Sequence, residues 1–383
     1  MKVALVYDRV NKWGGAERVL LALHEMFPDA PLYTSVYDEK RAPWAKVFPR
    51  VIPSFLQKIP GANSRHEWLA AMMPIAFETL DFTGYDLVIS VTSEAAKGVI
   101  TRPPAKHVCY CLTPTRYLWS HRDEYFKGTT LKTISKPVVS YLRYWDRIAA
   151  QRPDIIISIS TAVKDRVRKY YERESEVIFP PVEIEKFQIP NSPPSPRLRR
   201  ASKFQIEDKD YFLIVSRLVP YKKVDLAIEA FNELGYSLVV VGTGSEENKL
   251  KSMSKNNITF RGFVSEEELV SYYQNAKALI FPQEEDFGIV AVEAQAVGAP
   301  VIAYKKGGAL DTVIDPSVGS GRFATGIFFK EQTKESLIKA VKHYDDSNQR
   351  SEMSRECIKN AKKFSKERFK KEFAKLVEKY VSG

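Results

Sequence analysis

Cysteine is scarce in this chain. Three occur in 383 residues, Cys109, Cys111 and Cys357, and no second pair stands at metal-ligand spacing from the first. That argues against a zinc site, and an odd, sparse count fits a reducing compartment better than a disulfide framework. Long apolar runs are missing too. No stretch reaches the roughly 18 residues that a membrane-crossing helix requires, so none is expected. The opening MKVALVYDRV turns polar too soon for a secretory leader. There is no arginine-rich tail and no basic–aromatic RNA motif, which sets nucleic acid aside. The expectation is a cytoplasmic protein.

What is present is ordinary globular material. Hydrophobic residues make up 44% and charged residues 27%, enough for two cores in a chain too long for one typical domain. The formal charge of +11 favours an anionic partner, either a phosphorylated small molecule or an anionic membrane surface at the cell's inner face. A generic solubilising surface would explain it as well. Basic residues gather in two places: Lys164, Arg166, Arg168, Lys169 and Arg173 around Tyr170 and Tyr171, and residues 132–147, which also carry Val138, Val139, Tyr141, Leu142 and Trp145. Such mixtures suit a lipid surface or a lipid diphosphate, and equally suit core helices with solvated charges.

Short apolar runs alternate with helical patterns along the whole chain. Strands are expected at residues 3–7, 85–91, 107–111 and 154–158, and again at 211–216, 237–241, 258–260, 278–281 and 301–304. Helices are expected at residues 16–26, 224–234 and 266–276. This is the pattern of parallel α/β units, repeated twice, so the fold class is α/β with two Rossmann-like domains. Residues 188–200 (QIPNSPPSPRLRR) form a proline-rich, basic loop. The division expected is 1–185, 186–361 and a final basic helix over 362–381, with Phe364, Phe369, Phe373, Leu376 and Tyr380 on its apolar face.

Four loops at the carboxyl ends of expected strands carry the candidate chemistry. The first, residues 281–293, runs from Phe281 through Glu284, Glu285 and Asp286 to Phe287 and Gly288, and enters a helix with Ile289, Val290 and Glu293. Ligands in open α/β sheets bind at this end of the strands, and a helix start offers free N–H groups to an anion. Two carboxylates eight residues apart can border one pocket. A solvated acidic loop with one buried, paired glutamate fits the periodicity equally well. The second loop holds Ser216, Arg217, Lys222 and Lys223, cations suited to a diphosphate. The third has Gly14 and Gly15 between the first strand and its helix, and the fourth has Gly307 and Gly308; a plain turn explains either pair. Asp208, Lys209 and Asp210 spell a metal-binding pattern, but they precede their strand, and no metal is expected there.

Residues 284–313 (EEDFGIVAVEAQAVGAPVIAYKKGGALDTV), with 216–231, 260–269, GGAERV at 14–19 and VIFPPVEIEKF at 177–187, resemble the large retaining glycosyltransferase family numbered four. CYCLTPTRYLW at 109–119 and LRYWDRIAA at 142–150 resemble its O-antigen and lipopolysaccharide mannosyltransferase branch. The resemblance implies a GT-B fold whose last helix returns to the N-terminal acceptor domain. It implies that Glu285 contacts the donor sugar, that Glu293 holds the ribose, and that Arg217 and Lys222 neutralise the diphosphate. Backbone from Phe287 to Val290 and at Gly15 would join them, and the segment from Gly262 to Val264 would lie against the base. No metal or other cofactor is implied; the nucleotide sugar, with GDP-mannose foremost, is the substrate, and a glycan or lipid-linked acceptor is the partner. Three positions depart from the pattern: Lys223 stands where glycine is common, Asp311 where glutamate is common, and Leu112 where related mannosyltransferases have histidine. His121 is nearby in sequence without a motif of its own.

Overall fold

The computed structural model describes residues 1–62, 66–120, 136–187, 210–315, 324–347 and 350–381. The chain divides into two units. One comprises Met1–Pro181 and Glu367–Gly383, the other Val182–Lys366, so the passage lies slightly ahead of residue 185.

The first unit is a seven-stranded parallel sheet in the order β3-β2-β1-β4-β5-β6-β7. Its strands are Val3–Tyr7 (β1), Leu32–Thr34 (β2), Val51–Pro53 (β3), Leu87–Thr92 (β4), Lys106–Cys111 (β5), Ile155–Ser158 (β6) and Glu176–Val177 (β7). β1 and β4 are buried at every position. That is why β1 reads as an unbroken apolar run, and β4 as one broken only by the buried Ser90 and Thr92: helices cover both faces. The helix Gly15–Met26 turns Val19, Leu20 and Leu23 inward. Ala4, Val6, Val88, Phe77, Val99 and Trp145 share one core.

The second unit repeats the order with six parallel strands, β10-β9-β8-β11-β12-β13. These are Tyr211–Val215 (β8), Leu238–Val241 (β9), Ile258–Gly262 (β10), Ala276–Phe281 (β11), Val301–Tyr304 (β12) and Gly326–Phe329 (β13). Its core joins Phe212, Ile214, Val240 and Ile280 from the strands to Ile228, Phe231 and Val341 from the helices. The expected pair of doubly wound α/β units is therefore present. Sequence reasoning passed over β2, β3, β7 and β13. The first three have only two or three residues, too few for a period, and β3, β7 and β13 are edges that borrow their conformation from one neighbour.

The last helix corrects the reading. Residues 362–381 are not one helix: a 3-10 turn, Lys362–Phe364, ends at Ser365 in extended conformation, and the helix Lys366–Val381 begins there. The periodicity contains the reason. Phe369, Phe373 and Leu376 recur at helical spacing, but Phe364 stands five residues before Phe369 and falls off that stripe. Phe364 packs on Phe287 within the second unit, ring centroids 5.5 Å apart. Phe369 lies edge-on to Tyr110 of β5 at 5.7 Å, and Phe373 and Leu376 are buried beside it in the first unit. Tyr380 is not on the buried stripe; its hydroxyl donates to Glu176 at 3.0 Å.

One buried group gives a pH dependence. His107 on β5 is fully buried, with Nε2 2.8 Å from the Ser90 hydroxyl. Burial pushes its imidazole down to about 3. The folded chain leaves this ring neutral where the unfolded chain protonates it, so stability falls as pH drops from about 6.5 towards 3, by at most about 1.4 kcal/mol per unit. Urea midpoints taken at about pH 7 and about pH 5 should differ in that sense, and the difference should shrink in His107→Gln.

Candidate active site

Each sheet has one place where neighbouring strands send their connections to opposite sides: between β1 and β4 in the first unit, and between β8 and β11 in the second. Loops leaving the carboxyl ends of such a pair part and open a crevice.

In the second unit these are the loops that carry Arg217 and Lys222, after β8, and Glu285, after β11. The structure brings them together. Lys222 Nζ and Glu285 Oε1 form an ion pair, with side chains 12% and 17% exposed. Tyr221, which sequence reasoning did not single out, organises the cations. Its hydroxyl accepts from the Arg217 guanidinium. Its ring centre lies 6.0 Å from Arg217 Cζ and 5.3 Å from Lys222 Nζ. The negative ring face holds two like charges at one edge that would otherwise separate. Ser216 anchors the loop start, its N–H donating to the Val241 carbonyl at 3.0 Å.

Glu285 is held from behind by the glycine pair. Its carbonyl accepts from the Gly308 N–H at 2.8 Å. Gly307 has φ +67°, and a Cβ there would strike the same carbonyl. The fourth candidate loop is thus a buttress for the first. Gly288, with φ +93°, caps the helix Ile289–Ala296, so the N–H groups of Ile289 and Val290 lie in its first turn. Phe287 offers only its backbone here, because its ring is in the core. Glu293, one turn further on, is 2% exposed and accepts from the Tyr273 hydroxyl at 3.0 Å. Gly262 ends β10 with φ +65°. Between it and the half-buried Val264 stands Phe263, 88% exposed. Phe263 lies within the segment 262–264 that the resemblance sets against the base, and it is the residue of the three that presents a bare ring at the sheet's ligand edge.

Lys223 explains one departure from the family pattern. It has φ +53° and ψ +34°, a left-handed conformation between the turn Pro220–Lys222 and the helix Val224–Leu234. Glycine reaches that conformation without a Cβ penalty, whereas lysine does not. Lys223→Gly should raise stability by about 1 kcal/mol, measured as a higher urea midpoint with unchanged slope.

The crevice of the first unit is built differently. The Asp8 carboxylate after β1 accepts from Ser93 N–H (2.7 Å), Ala95 N–H and Ala96 N–H (both 2.9 Å) and the Thr92 hydroxyl (2.8 Å) after β4. Arg9 and Glu94 form an ion pair in front of it. Gly14, extended, precedes the helix Gly15–Met26. In that helix Glu17 is buried against the Tyr7 hydroxyl at 2.8 Å, and burial raises its carboxyl above the usual range. Leu112 continues the β5 ladder by donating its N–H to Thr92 at 2.8 Å.

The residues that hold the segment after Leu112 escaped sequence reasoning. Asp146 is 1% exposed and pairs with Lys97, 2% exposed, at 2.6 Å. It also accepts from Thr115 (3.0 Å), Trp119 Nε1 (2.7 Å) and the Tyr171 hydroxyl (2.8 Å). Burial alone would lower the Lys97 ammonium, but the Asp146 charge outweighs it and the net shift is upward. Four donors converging on one carboxylate fix the 113–119 turn to the core.

The expected basic patches divide. Arg173 caps the carbonyls of Ala150, Gln151 and Pro153, and Arg166 donates to Thr113. Val139, Leu142 and Trp145 are core, while Val138 and Tyr141 are exposed. His121, the start of the 132–147 patch, and Asp208 and Lys209 lie outside the described residues. Asp210 pairs with Lys277 at 3.0 Å. Among the described residues, no three His, Cys, Asp or Glu side chains group as metal ligands, and no helix is long and apolar enough to cross a membrane.

Residues 197–364, most of the second unit, match the family described as glycosyl transferases group 1. A GDP-mannose-dependent alpha-(1-6)-phosphatidylinositol monomannoside mannosyltransferase of Mycolicibacterium smegmatis is 28% identical over 187 residues, 44% of this chain and 48% of that protein. The chain spans about half the length of most of the curated relatives it matches. Among solved structures, a sucrose-phosphate synthase from Thermosynechococcus elongatus superposes with a TM-score of 0.76 at 18% identity, over 100% of both chains. Anabaena HepE in complex with UDP-glucose superposes at 0.69 and 18% identity, over 99% of this chain and 100% of that one. At such identities the likeness is one of fold.

Proposed function

We propose that the chain is a retaining, metal-independent glycosyltransferase that moves a hexose from a nucleotide diphosphate sugar to a glycan or lipid-linked acceptor in cell-surface polysaccharide synthesis, working in the cytoplasm. The observation that carries this reading is the Lys222–Glu285 pair, with Arg217 beside it, at the switch point of the second sheet. The match of residues 197–364 to the glycosyl transferase family supports it.

In this reading a diphosphate lies against Arg217, Lys222 and the first-turn N–H groups after Gly288, and Phe263 lies along the base. The bond from the sugar's anomeric carbon to the phosphate oxygen breaks while the acceptor oxygen attacks from the same face, and the acceptor proton passes to the departing phosphate. Negative charge grows on that phosphate, where fixed cations stabilise it most. Glu285 positions the sugar hydroxyls and balances charge, and no covalent glycosyl-enzyme is formed. GDP-mannose is the favoured donor because relatives such as the mycobacterial enzyme are named for it. A UDP-sugar is the alternative, given the UDP-glucose complex of HepE.

Leu112 supports a second reading, a nucleotide-sugar binder without turnover, since the branch places a histidine there. Nucleoside diphosphate release from a panel of GDP- and UDP-sugars, with and without lipid-linked glycan acceptors, separates the two. Release that rises with acceptor supports transfer and names the donor. Binding without release under every condition overturns it.

A further inference from the structure

Trp13 stands in the loop that leaves the carboxyl end of β1, just ahead of the helix Gly15–Met26, and it is 51% exposed. A single exposed apolar residue needs no explanation. One that is rigidly held at a sheet's ligand edge does. The Trp44 ring meets Trp13 edge-on, centroids 6.2 Å apart. Trp44 also donates its indole N–H to the Lys12 carbonyl at 2.8 Å, so one residue fixes both the ring and the backbone before it. Trp44 leans on Phe48 at 6.2 Å, and Phe48 on His24 of the helix at 4.8 Å. A ladder of rings thus runs from the helix out to Trp13. The start of the loop is tied down as well: the Val10 N–H donates to the Val36 carbonyl at 3.0 Å, and the Val10 carbonyl accepts from the Asp38 N–H at 2.8 Å. The exposed indole face is therefore set in place before any ligand arrives, and a ligand that stacks on it has little ordering cost to meet.

The rest of the loop is polar. Arg9, earlier in it, pairs with Glu94 of the loop after β4. Asn11 is half-buried and Lys12 is exposed. One apolar plane, with an amide, an ammonium and a guanidinium–carboxylate pair in the same and the facing loop, suits a ligand that is apolar on one face and hydroxylated around its rim. A pyranose ring is such a ligand. Its axial C–H bonds carry partial positive charge and meet the negative face of an indole, while its equatorial hydroxyls point outward to donors and acceptors. A nucleobase would stack there too, but in the donor reading the base lies along Phe263 of the second unit, which leaves this ring to another partner.

We infer that Trp13 is a stacking platform for a sugar of the acceptor: a pyranose lies with its C–H face on the indole, and Trp44 is the positioning residue that holds the indole for it. This role rests on reading the chain as a glycosyltransferase, and it narrows the acceptor to one that presents a sugar ring, and not its lipid or phosphate part, to the loop after β1.

The test is saturation-transfer NMR on the full chain with three probes: methyl β-galactopyranoside, methyl β-glucopyranoside and methyl α-mannopyranoside. At least one should bind, with saturation strongest at the C–H protons of one ring face. Trp13→Ala should lower its affinity about five- to tenfold, whereas Trp13→Phe, which keeps a flat ring, should stay within about threefold of wild type. Trp44→Leu, which leaves the platform but frees it to turn, should fall between the two. GDP and UDP binding, read by calorimetry, should be the same in Trp13→Ala as in wild type, because the residues read as holding the nucleotide belong to the second unit. No binding of any of the three glycosides overturns the proposal, as does a Trp13→Ala chain that binds them like wild type. Loss of nucleotide affinity in Trp13→Ala also overturns it, assigning the ring to the base. Glycoside binding through Trp13 in a chain that never releases nucleoside diphosphate would uphold the platform and overturn the transfer reading; acceptor-dependent release without glycoside binding would do the reverse.

Discussion

Glu285→Gln is expected to do two opposite things: lower sugar transfer by about 100- to 1,000-fold and tighten binding of the free nucleoside diphosphate by several-fold. The argument rests on the ion pair. Without ligand, Glu285 is the counter-ion of Lys222, and both are mostly withdrawn from water. A diphosphate that approaches Lys222 competes with that carboxylate and meets its negative charge. Removing the charge while keeping the shape frees the ammonium and takes away the repulsion, so nucleotide binding improves. The same change removes the acceptor that orders the sugar hydroxyls, and turnover falls. Lys222→Ala should lose both properties. Titration calorimetry with GDP and UDP, set beside turnover, makes the distinction: a glutamine variant that loses nucleotide affinity in step with rate would show that Glu285 supports the loop's structure instead of sharing Lys222 with the ligand. Binding to free nucleotide needs no acceptor, so this result is readable whatever the acceptor proves to be.

The largest loss of stability is expected from Lys97→Met. Removing one partner of a fully buried pair leaves the other charge without compensation, at a cost of about 3–5 kcal/mol. Lys97 and Asp146 are 2% and 1% exposed, so neither can turn to water. Replacing both by apolar residues often restores stability in buried pairs. Here it should not restore it fully. Asp146 also satisfies Thr115, Trp119 and Tyr171, and Lys97→Met/Asp146→Leu would leave the Trp119 and Tyr171 donors without that acceptor and Thr115 with only the Glu94 carbonyl at 3.4 Å. A double-mutant cycle in urea should therefore show the double variant still well below wild type. Recovery to wild-type stability would mean that the three hydrogen bonds contribute nothing and that the pair is an isolated ion pair.

Much of this architecture is written in the sequence because central parallel strands must be apolar throughout. Residues 3–7 and 301–304 could be placed to the residue for that reason, as could the loops after β8 and β11, and the helix 224–234 by its own helical period. The break at Ser365 was legible too, had the phase of Phe364 been checked against Phe369. Other features depend on contacts between distant residues. Lys97 looks like any surface lysine until Asp146, forty-nine positions later, is folded against it. Tyr221 lies in plain view between two cations, but only its ring orientation shows that it holds them. Gly307 reads as a turn until its proximity to the Glu285 carbonyl is seen. Patterns report burial and period, whereas pairing across long sequence separations is decided by topology.

The split of residues 362–381 also bears on how the protein is made. Synthesis is vectorial, and the ribosome delivers the first unit's whole sheet before any of the second unit. Yet Tyr110, on the interior strand β5 of that sheet, is covered by Phe369 and Phe373, which emerge only after the second unit has been translated. Until then the nascent sheet carries an uncovered apolar side, a surface for chaperones or for misassociation. A fragment ending at Pro181 should be soluble only when the helix Lys366–Val381 is supplied, as a fused segment or as a peptide added in trans.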